Sequence, residues 1–366
     1  MVTALVLTLV NVLVGALLAA TPWLMPRQEC FAVTVPPCAH TDPRIARMKR
    51  VYTLAVALMT LVGAAASFAG FALGGESAFM VAWTAALVVL VIAPFALMLW
   101  YRSRVRRIKQ EEGWAPSSEL SAAILAEDDL PAPVPLAWQL LGLVPVVLGL
   151  ILMAVLWDDI PDRVPMHADL EGNVNDWADK GPGIVLFPVL TQLFIWGAIV
   201  VSHWLISRSR RPVDPRRPLS SALSYALFAR AMGWCLVETS VVINAMLLAF
   251  PLSSAGVITL GQAGIIMMVA LVPVLVPLIV VAVVYGQSGA RVLSGMPSED
   301  SEMSCDEDHY WKLGLFYVNR DDESLFVPER FGVGWTVNFG RPTAWALLIG
   351  FLVVTVAFVV AVFLLV

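Results

Sequence analysis

The fold is decided by residues 136–206, which read LAWQLLGLVPVVLGLILMAVLWDDIPDRVPMHADLEGNVNDWADKGPGIVLFPVLTQLFIWGAIVVSHWLI. Two apolar runs, Leu136–Trp157 and Pro182–Ile206, enclose a polar island from Ile160 to Lys180. Each run has the roughly 20 mainly apolar residues that a helix needs to cross a bilayer. The island contains seven ionisable side chains, a histidine and a tryptophan. The pattern therefore predicts two membrane helices joined by a polar loop outside the bilayer.

The composition extends this prediction to the whole chain. Hydrophobic residues make up 59% of the 366 residues, charged residues 14%, and these values are typical of a protein that places its apolar surface in a bilayer. We predict an all-α polytopic membrane protein with a small cytoplasmic β-hairpin-containing domain before the last helix. Its eight predicted membrane helices are Val2–Ala20, Val51–Leu73, Ala78–Trp100, Leu136–Trp157, Pro182–Ile206, Ser221–Phe250, Val257–Tyr285 and Thr343–Val366.

The distribution of basic residues predicts the orientation. The loops after the first, third, fifth and seventh predicted helices carry five Lys or Arg residues each, and of the 23 basic residues only Arg163, Lys180 and Arg230 lie elsewhere. The positive-inside rule then places these four loops in the cytoplasm. We therefore expect a multi-pass protein of the cell membrane with both termini outside. The polar island then faces the outside, and nucleic acid is not an expected partner.

The chain divides into five predicted parts. Residues 1–135 form a three-helix membrane segment with basic loops, residues 136–206 the helix pair with the polar island, and residues 207–286 two further helices. Residues 287–342 form the cytoplasmic domain, and residues 343–366 the last helix. No Lys or Arg precedes Arg27, so the first helix is expected to be a membrane span and not a cleaved signal peptide.

The cytoplasmic domain is predicted from a change in residue type. An acidic stretch at residues 298–308 is followed by aromatic and β-branched residues that alternate with turn signals, which indicates two or three short strands in hairpins. So small a unit cannot build its own stable core. It is expected to pack on the cytoplasmic helix ends or on the extended segment Phe31–Val35. A short capped helix is predicted at residues 117–125, against the membrane.

His167 is the candidate functional residue of the polar island. Its unperturbed pKa is near neutrality, and Asp169 and Glu171 are close in sequence, so it has the chemistry to bind metal, sense pH or transfer protons. The alternative is a rigid re-entry turn, with two prolines at its exit, Gly172 in the turn and Trp177 at the membrane interface. One histidine with scattered carboxylates has no defined ligand spacing. The residues leave both interpretations open.

Polar side chains also occur within the sixth predicted helix. Arg230 and Glu238 are eight residues apart and so lie on one side, with Asn244 further along. Ionisable groups at membrane depth are costly and usually face a bundle interior. Glu238 is thus either a proton or cation site or part of a structural hydrogen bond, and Arg230 is expected to reach the cytoplasmic interface. His203 is expected to lie at an interface.

The sequence offers little support for metal or cofactor chemistry. A zinc site would have to combine residues whose spacings fit no standard ligand pattern, namely Cys30, Cys38, His40, Cys305 and His309. The usual catalytic motifs do not occur in the sequence. We therefore expect no metal, no cofactor and no enzymatic activity.

Two groups of residues resemble a known family. The polar island resembles the signature of bacterial SdpI-like membrane proteins (domain of unknown function 1648) at Pro161, Pro165, His167, Gly172, Trp177 and Lys180. The second half is similar to the C-terminal domain often fused to them (domain of unknown function 5808) at Trp311, Gly314, Tyr317, Asn319, Gly332, Gly334 and Asn338. The SdpI-like immunity proteins protect a cell from its own secreted peptide toxin.

This resemblance implies resistance or sensing directed at an extracellular peptide, with the polar island as the recognition surface. The expected partners are the lipid bilayer and such a peptide, or else a membrane or cytoplasmic protein. An ion- or proton-coupled transporter that uses Glu238 and Arg230 is the second hypothesis. A hydrolase with a metal at His167 is the third, and it requires three converging ligands.

Overall fold

The computed structural model describes residues 2–116, 130–168, 174–215, 217–292, 303 and 305–365. The predicted helix at residues 117–125 lies outside these residues, as does most of the acidic stretch.

Helices dominate the described residues, and the strands pair in four two-stranded antiparallel sheets, β1–β2, β3–β4, β5–β6 and β7–β8. The helices are α1 (Val2–Leu24), α2 (Pro43–Glu111), α3 (Val144–Val155), α4 (Pro182–Ser207), α5 (Pro218–Met246), α6 (Ala249–Ser254), α7 (Leu260–Tyr285) and α8 (Pro342–Leu365). The strands are β1 (Glu29–Cys30), β2 (Val33–Thr34), β3 (Arg163–Ala168), β4 (Val174–Asp179), β5 (Trp311–Lys312), β6 (Phe316–Tyr317), β7 (Phe326–Pro328) and β8 (Trp335–Val337).

Among the described residues, seven helices are long and apolar enough to cross a membrane, which identifies a multi-pass membrane protein. The second and third predicted spans both lie in α2, one on each side of Gly75, so the count of eight spans stays a prediction. A straight helix of 69 residues would measure about 100 Å, far more than a bilayer. Gly75 interrupts α2 with a left-handed φ of 67°.

The two halves of α2 fold back on each other at Gly75. A Cβ added at Gly63 would lie 2.8 Å from the Ala86 Cβ, and one added at Gly70 would lie 2.8 Å from the Ala78 carbonyl oxygen. Residues at similar distances before and after Gly75 are therefore neighbours. Small residues permit this close approach, as they do at membrane helix interfaces. α2 is thus a helical hairpin, and its crossing the bilayer twice stays a prediction.

Local sequence signals explain where several helices begin and end. The Asp42 side chain accepts a hydrogen bond from the Arg44 amide and caps α2. Thr259 and Gln262 form a reciprocal capping box that fixes the start of α7. The fourth predicted helix differs from expectation, since residues 136–143 form a 3₁₀ helix before α3 begins.

The loops rich in basic residues meet at one end of the bundle, which we call the basic end. The Gln28 side chain donates a hydrogen bond to Asp214, and the Arg210 amide donates one to the Phe326 carbonyl. Lys109 pairs with Asp308 at 2.8 Å. These contacts join the loops that follow α1, α2, α4 and α7. The β3–β4 hairpin connects the opposite ends of α3 and α4, and we call that end the hairpin end.

The β5–β6 and β7–β8 hairpins lie at the basic end and pack on Phe31–Val35, as the sequence predicted for its small C-terminal domain. Phe31 is fully buried and stacks on Phe331 with 5.9 Å between ring centroids. Tyr52 contacts both rings, and Tyr101 contacts Phe31. Phe31 also has a positive φ of 45°, which is strained in a non-glycine residue. Burial of its ring in this aromatic cluster holds the strained β1–β2 turn.

Candidate functional site

The polar island is a β-hairpin and not the predicted loop. Strands β3 and β4 pair antiparallel, with Arg163 opposite Asp179 and Pro165 opposite Trp177. A bulge follows Pro165, whose missing amide hydrogen explains why the pairing becomes irregular there. The alternation of the two strands was obscured in the sequence by the prolines.

The hairpin is fixed to the membrane helices by one apolar face. Val164 and Ile160 are buried in a cluster with residues of α3, α4 and α6. Lys180 donates a hydrogen bond to the Ile160 carbonyl at 2.8 Å and lies 4.9 Å from the ring centre of Trp157. The hairpin is therefore held at its base, where both strands leave the bundle.

The other face of the hairpin is exposed and acidic. His167 Nδ1 and Asn175 Oδ1 are 2.5 Å apart, and both side chains are exposed. Trp177 is 47% exposed. Five carboxylates are also exposed on or beside the strands, at Asp158, Asp159, Asp162, Asp176 and Asp179. The face thus combines negative charge with an aromatic ring.

The predicted motif residues of the hairpin divide into two sets. Pro165 and Lys180 shape the hairpin and its base, and Pro161 leads into it, which fits the re-entry interpretation. His167 and Trp177 are exposed, which fits binding. Gly172 lies outside the described residues, together with Asp169 and Glu171. In the part of the chain that the structure describes, no three His, Cys, Asp or Glu side chains are grouped to hold a metal ion, at His167 or at the cysteines.

The structure does not join Arg230 to Glu238. Arg230 is exposed and donates a hydrogen bond to the Ala132 carbonyl at 3.3 Å. Glu238 is half-buried, and its Oε2 atom is buried without a hydrogen-bond partner among the described residues. Asn244 is fully buried and donates a hydrogen bond to the Gly142 carbonyl at 2.9 Å. Of the three residues, Asn244 has a structural contact and Glu238 has an unsatisfied oxygen.

A buried polar network around Asn244 was missed in the sequence. Gln192 donates a hydrogen bond to the Asn244 carbonyl, and Gln139 lies 3.0 Å from His203. Trp196 donates one to the Gln139 carbonyl. The bonds link the 3₁₀ segment to α4 and α5. His203 is buried with 1% exposure between Gln139 and the Val134 carbonyl, and its expected position at the membrane interface stays a prediction.

At the basic end, Asn338 holds the C-terminal domain together. Its side-chain nitrogen donates to the carbonyl groups of Asn319, Asp322 and Ser324, and its oxygen accepts from the Asn319 and Gly340 amides. Asn338 is fully buried. The Asn338 side chain therefore supplies hydrogen-bond partners to backbone groups of a loop that is not part of a sheet. Its role is structural.

Other motif residues of this domain serve close contacts. Gly314 has a φ of 75°, and a Cβ there would lie 2.8 Å from the Ala32 Cβ and 3.0 Å from Arg102. Gln287 donates to the carbonyl groups of Glu329 and Gly334 and accepts from the Gly334 amide. Gly332 has a φ of 132°, which turns β7 towards β8. These residues attach the β5–β6 and β7–β8 hairpins to the helix ends.

A charge network surrounds the domain. Arg330, with a 5% exposed side chain, pairs with Asp308 at 2.5 Å, and Lys109 pairs with the other oxygen. Burial alone would raise the pKa of Asp308, but Arg330 and Lys109 lower it to about 2. Tyr317 donates a hydrogen bond to Asp322 and accepts one from Arg210. The domain is therefore fixed by ion pairs as well as by packing.

The network borders a cavity of about 280 Å³ at the basic end. Glu29, Glu329 and Trp311 are among the residues that line it. Burial raises the pKa of Glu29 to about 7, in spite of the nearby Arg330, and burial also raises the pKa of Glu329 to about 7. Sequence reasoning missed both glutamates, since their burial depends on how the two halves of the chain pack.

Two family models match parts of the chain. Residues 144–191 match a Domain of unknown function (DUF1648), and residues 320–345 match a Family of unknown function (DUF5808). The chain contains both domains. The DUF1648 match spans α3, the hairpin and the first part of α4, and the DUF5808 match spans β7, β8 and the start of α8. This confirms the two domains that the resemblance predicted.

The two matches cover the predicted motif residues unequally. All six residues of the hairpin motif lie within the DUF1648 match. The DUF5808 match includes Gly332, Gly334 and Asn338, whereas the first four residues of the C-terminal motif precede it. No curated protein matches the chain. No solved structure matches it either.

Proposed function

We propose that this multi-pass membrane protein recognises a cationic, amphipathic peptide outside the cell and gives resistance to it or senses it, as in SdpI-like immunity proteins. The observation that carries the proposal is the exposed acidic face of the β3–β4 hairpin. Five exposed carboxylates lie on or beside the hairpin, against Arg163 as an exposed basic residue of β3, while Val164 and Ile160 anchor the hairpin in the bundle. Charge complementarity of this kind steers association and selects partners.

The hairpin offers a peptide more than negative charge. Trp177 is 47% exposed, and the exposed Asp179 lies two residues along β4 on the same face, so an apolar side chain and a basic side chain of one peptide have adjacent contacts. Exposed aromatic residues are common anchors of protein interfaces. The hairpin is also fixed at its base by Lys180 and Ile160, so little ordering is required on binding. The positive-inside rule supports an outward-facing hairpin, because the basic loops lie at the opposite end.

The proposal is tested by measuring whether bacterial cells that produce the full chain are protected from such peptides. Cells are challenged with cationic amphipathic peptides, and growth is compared between wild type, Asp162→Asn with Asp176→Asn, and a matched pair at the basic end, Asp321→Asn with Glu323→Gln. All four side chains are exposed. We expect protection by the wild type and the basic-end pair and its loss in the hairpin pair, at equal amounts in the membrane. Equal protection by both pairs, or no protection against any peptide, would contradict the proposal.

Transport is the second candidate function, and one observation favours it. Glu238 has a buried oxygen without a partner among the described residues, and α5 also carries unsatisfied oxygens at Ser240 and Asn244. Buried polar groups of this kind are expensive in a membrane and often mark an ion path. Under this hypothesis, the wild-type protein reconstituted in proteoliposomes should move protons across their membrane. The Glu238→Gln variant should abolish this proton flux. Equal flux with Glu238→Gln would exclude this role of Glu238.

A further inference from the structure

The first and last turns of α2 carry a group of exposed arginines. We call this group the α2 patch, and its five members are Arg47, Arg50, Arg104, Arg106 and Arg107. Because α2 folds back on itself at Gly75, its two ends are neighbours, and the ion pair between Arg44 and Glu112 joins them. The two halves of α2 therefore bring their positive charges to the same place on the surface.

The α2 patch differs from Lys109 and Arg210, which have carboxylate partners at the same end of the bundle. Lys109 pairs with Asp306 at 2.7 Å, and Arg210 pairs with Asp322 at 3.0 Å. Within the described part of the chain, none of the five arginines of the patch forms an ion pair. Their charge is thus not neutralised by the described carboxylates, and an anion from outside the chain can approach it.

One arginine from each half of α2 lies beside Tyr101. Both Arg47 and Arg104 act electrostatically on Tyr101, so the two guanidinium groups share its surroundings. The Arg104 guanidinium lies 3.8 Å from the centre of the Trp100 ring, which is itself 4.8 Å from the Tyr101 ring. A cation over an aromatic face is held there by the charge distribution of the ring. Like charges that lie close together repel, and an anion bound between them relieves the repulsion.

The apolar surface of α2 leads directly into the patch. At least half of the side chain is exposed at Leu54, Leu58, Val88 and Ile92. Trp100 and Arg104 continue the stripe of the second half at intervals of four residues, and Arg50 continues that of the first half. In a multi-pass membrane protein, exposed apolar stripes contact lipid chains, and tryptophan and arginine follow at the level of the lipid headgroups. The α2 patch is therefore positioned at the membrane surface.

We propose that the α2 patch binds an anionic phospholipid, whose phosphate is held by Arg47 and Arg104 and whose acyl chains lie along the apolar stripes of α2. Guanidinium groups match phosphate oxygens with paired hydrogen bonds. Clusters of basic residues next to a membrane helix are typical of anionic lipid binding. A free phosphate ion would use the charge alone, whereas a lipid also uses Trp100 and the apolar stripes. The site is independent of the hairpin and of the peptide proposal.

Native mass spectrometry of the purified full-length protein in detergent tests this proposal, with phosphatidylglycerol and phosphatidylcholine of the same chain length as probes. We expect the wild type to bind phosphatidylglycerol more tightly by about tenfold. Arg47→Gln with Arg104→Gln should weaken phosphatidylglycerol binding by about tenfold or more, since each arginine near an anionic lipid contributes about fivefold. The matched control, Arg163→Gln with Arg320→Gln, removes two exposed arginines outside α2 and should bind as the wild type does.

Two further measurements separate a lipid site from a site for free phosphate. Inorganic phosphate in large excess should leave most of the phosphatidylglycerol bound, because the ion has no contact with the apolar stripes. Trp100→Leu keeps every charge and should weaken phosphatidylglycerol binding by about threefold through loss of the cation–π contact. Equal binding of the two lipids by the wild type, equal binding of phosphatidylglycerol by the two double variants, or its displacement by inorganic phosphate would overturn the proposal.

Discussion

The two ends of the molecule use polar residues in opposite ways. At the hairpin end the carboxylates and His167 are exposed, and the fold is held by an apolar face and Lys180. At the basic end the charged groups around the C-terminal domain are buried and paired, as at Asp308 and Arg330. The comparison teaches that polar residues of the hairpin are not needed for folding and are available for a partner. Those of the basic end hold a domain that is too small to fold by its own core.

Energetics explain why the difference matters. An exposed ion pair contributes about 0–1 kcal/mol, since water solvates both charges. Removal of one partner from a buried pair leaves an uncompensated charge and costs roughly 3–5 kcal/mol. Substitutions at the two ends should therefore separate into those that impair folding and those that impair binding. The predictions below test this separation in order of decreasing effect.

The largest effect is expected for Arg330→Ala at the basic end. The substitution leaves Asp308 with Lys109 as its remaining partner and exposes Glu29 to two acidic neighbours. We expect the free energy of opening of residues 311–337, measured by hydrogen exchange on the full chain, to fall by about 3 kcal/mol. Arg320→Ala, at an exposed arginine of the same domain, should change it by less than about 0.5 kcal/mol. Equal changes in this opening free energy for Arg330→Ala and Arg320→Ala would contradict the proposed role of buried ion pairs at the basic end.

Asn338→Ala should have the next largest effect. It removes the side chain that satisfies the carbonyl groups of Asn319, Asp322 and Ser324. We expect the same opening free energy to fall by about 2 kcal/mol, since unsatisfied buried groups cost about 1–3 kcal/mol. Asn175→Ala on the exposed hairpin should alter the exchange of β3 and β4 by less than about 0.5 kcal/mol. A similar loss at both sites would contradict the structural role of Asn338.

The buried carboxylates predict a stability that depends on pH at the basic end. The pKa of Glu29 and Glu329 is raised from 4.5 to about 7, so their contribution is complete below about pH 4.5 and is lost as the pH rises to about 7. The pKa of Asp308 is lowered to about 2, so its contribution is lost as the pH falls below about 4.

The melting temperature in detergent should therefore fall between about pH 5 and about pH 7, because the two glutamates together outweigh His40, whose pKa burial lowers to about 4 and whose contribution changes in the opposite direction. Glu329→Gln should reduce the decline between about pH 5 and about pH 7, because it removes one of the two groups responsible. The control Glu323→Gln should leave the decline unchanged. A melting temperature that rises steadily to neutral pH would refute the assignment.

The smallest effect on stability is expected at the base of the hairpin. Lys180→Met removes the hydrogen bond to Ile160 and the cation above Trp157. We expect hydrogen exchange to show a loss of about 1 kcal/mol in the opening free energy of β3 and β4, from one hydrogen bond and one cation–π contact. Arg163→Met, at an exposed position opposite Asp179, is the matched control and should cost no more than about 0.5 kcal/mol.

Long-period patterns made the membrane fold predictable from the sequence. Apolar runs marked each of the helices, and the counts of Lys and Arg grouped the loops that the structure brings together. The break around Gly75 was predicted, with one helix ending at Leu73 and the next beginning at Ala78, but the continuity of α2 through Gly75 was not, because a glycine can end a helix or bend it while hydrogen bonding continues. The β-hairpin was not predicted either, since Pro161 and Pro165 resemble turn residues. Pro161 precedes β3, and the bulge after Pro165 makes that proline compatible with the strand.

The candidate sites were less predictable, because they depend on contacts between distant residues. Gln139 contacts His203 across 64 positions, and Arg330 contacts Glu29 across 301 positions (330 − 29). Local patterns contain no signal for such pairs. His167 and Trp177 were found because they lie in a polar segment between apolar runs. Glu29 and Glu329 were not found, because each is an ordinary loop carboxylate until the domain buries it.

The most direct test of the account is a hydrogen-exchange footprint of a synthetic lysine–leucine amphipathic peptide on the full-length protein in nanodiscs of neutral lipid. A glutamate–leucine peptide of the same pattern is the control. Our account predicts protection of residues 163–168 and 174–179 by the cationic peptide alone, with residues 311–337 unchanged. Protection confined to the basic end, or none at the hairpin at saturating peptide, would contradict the assignment of the hairpin as the recognition surface.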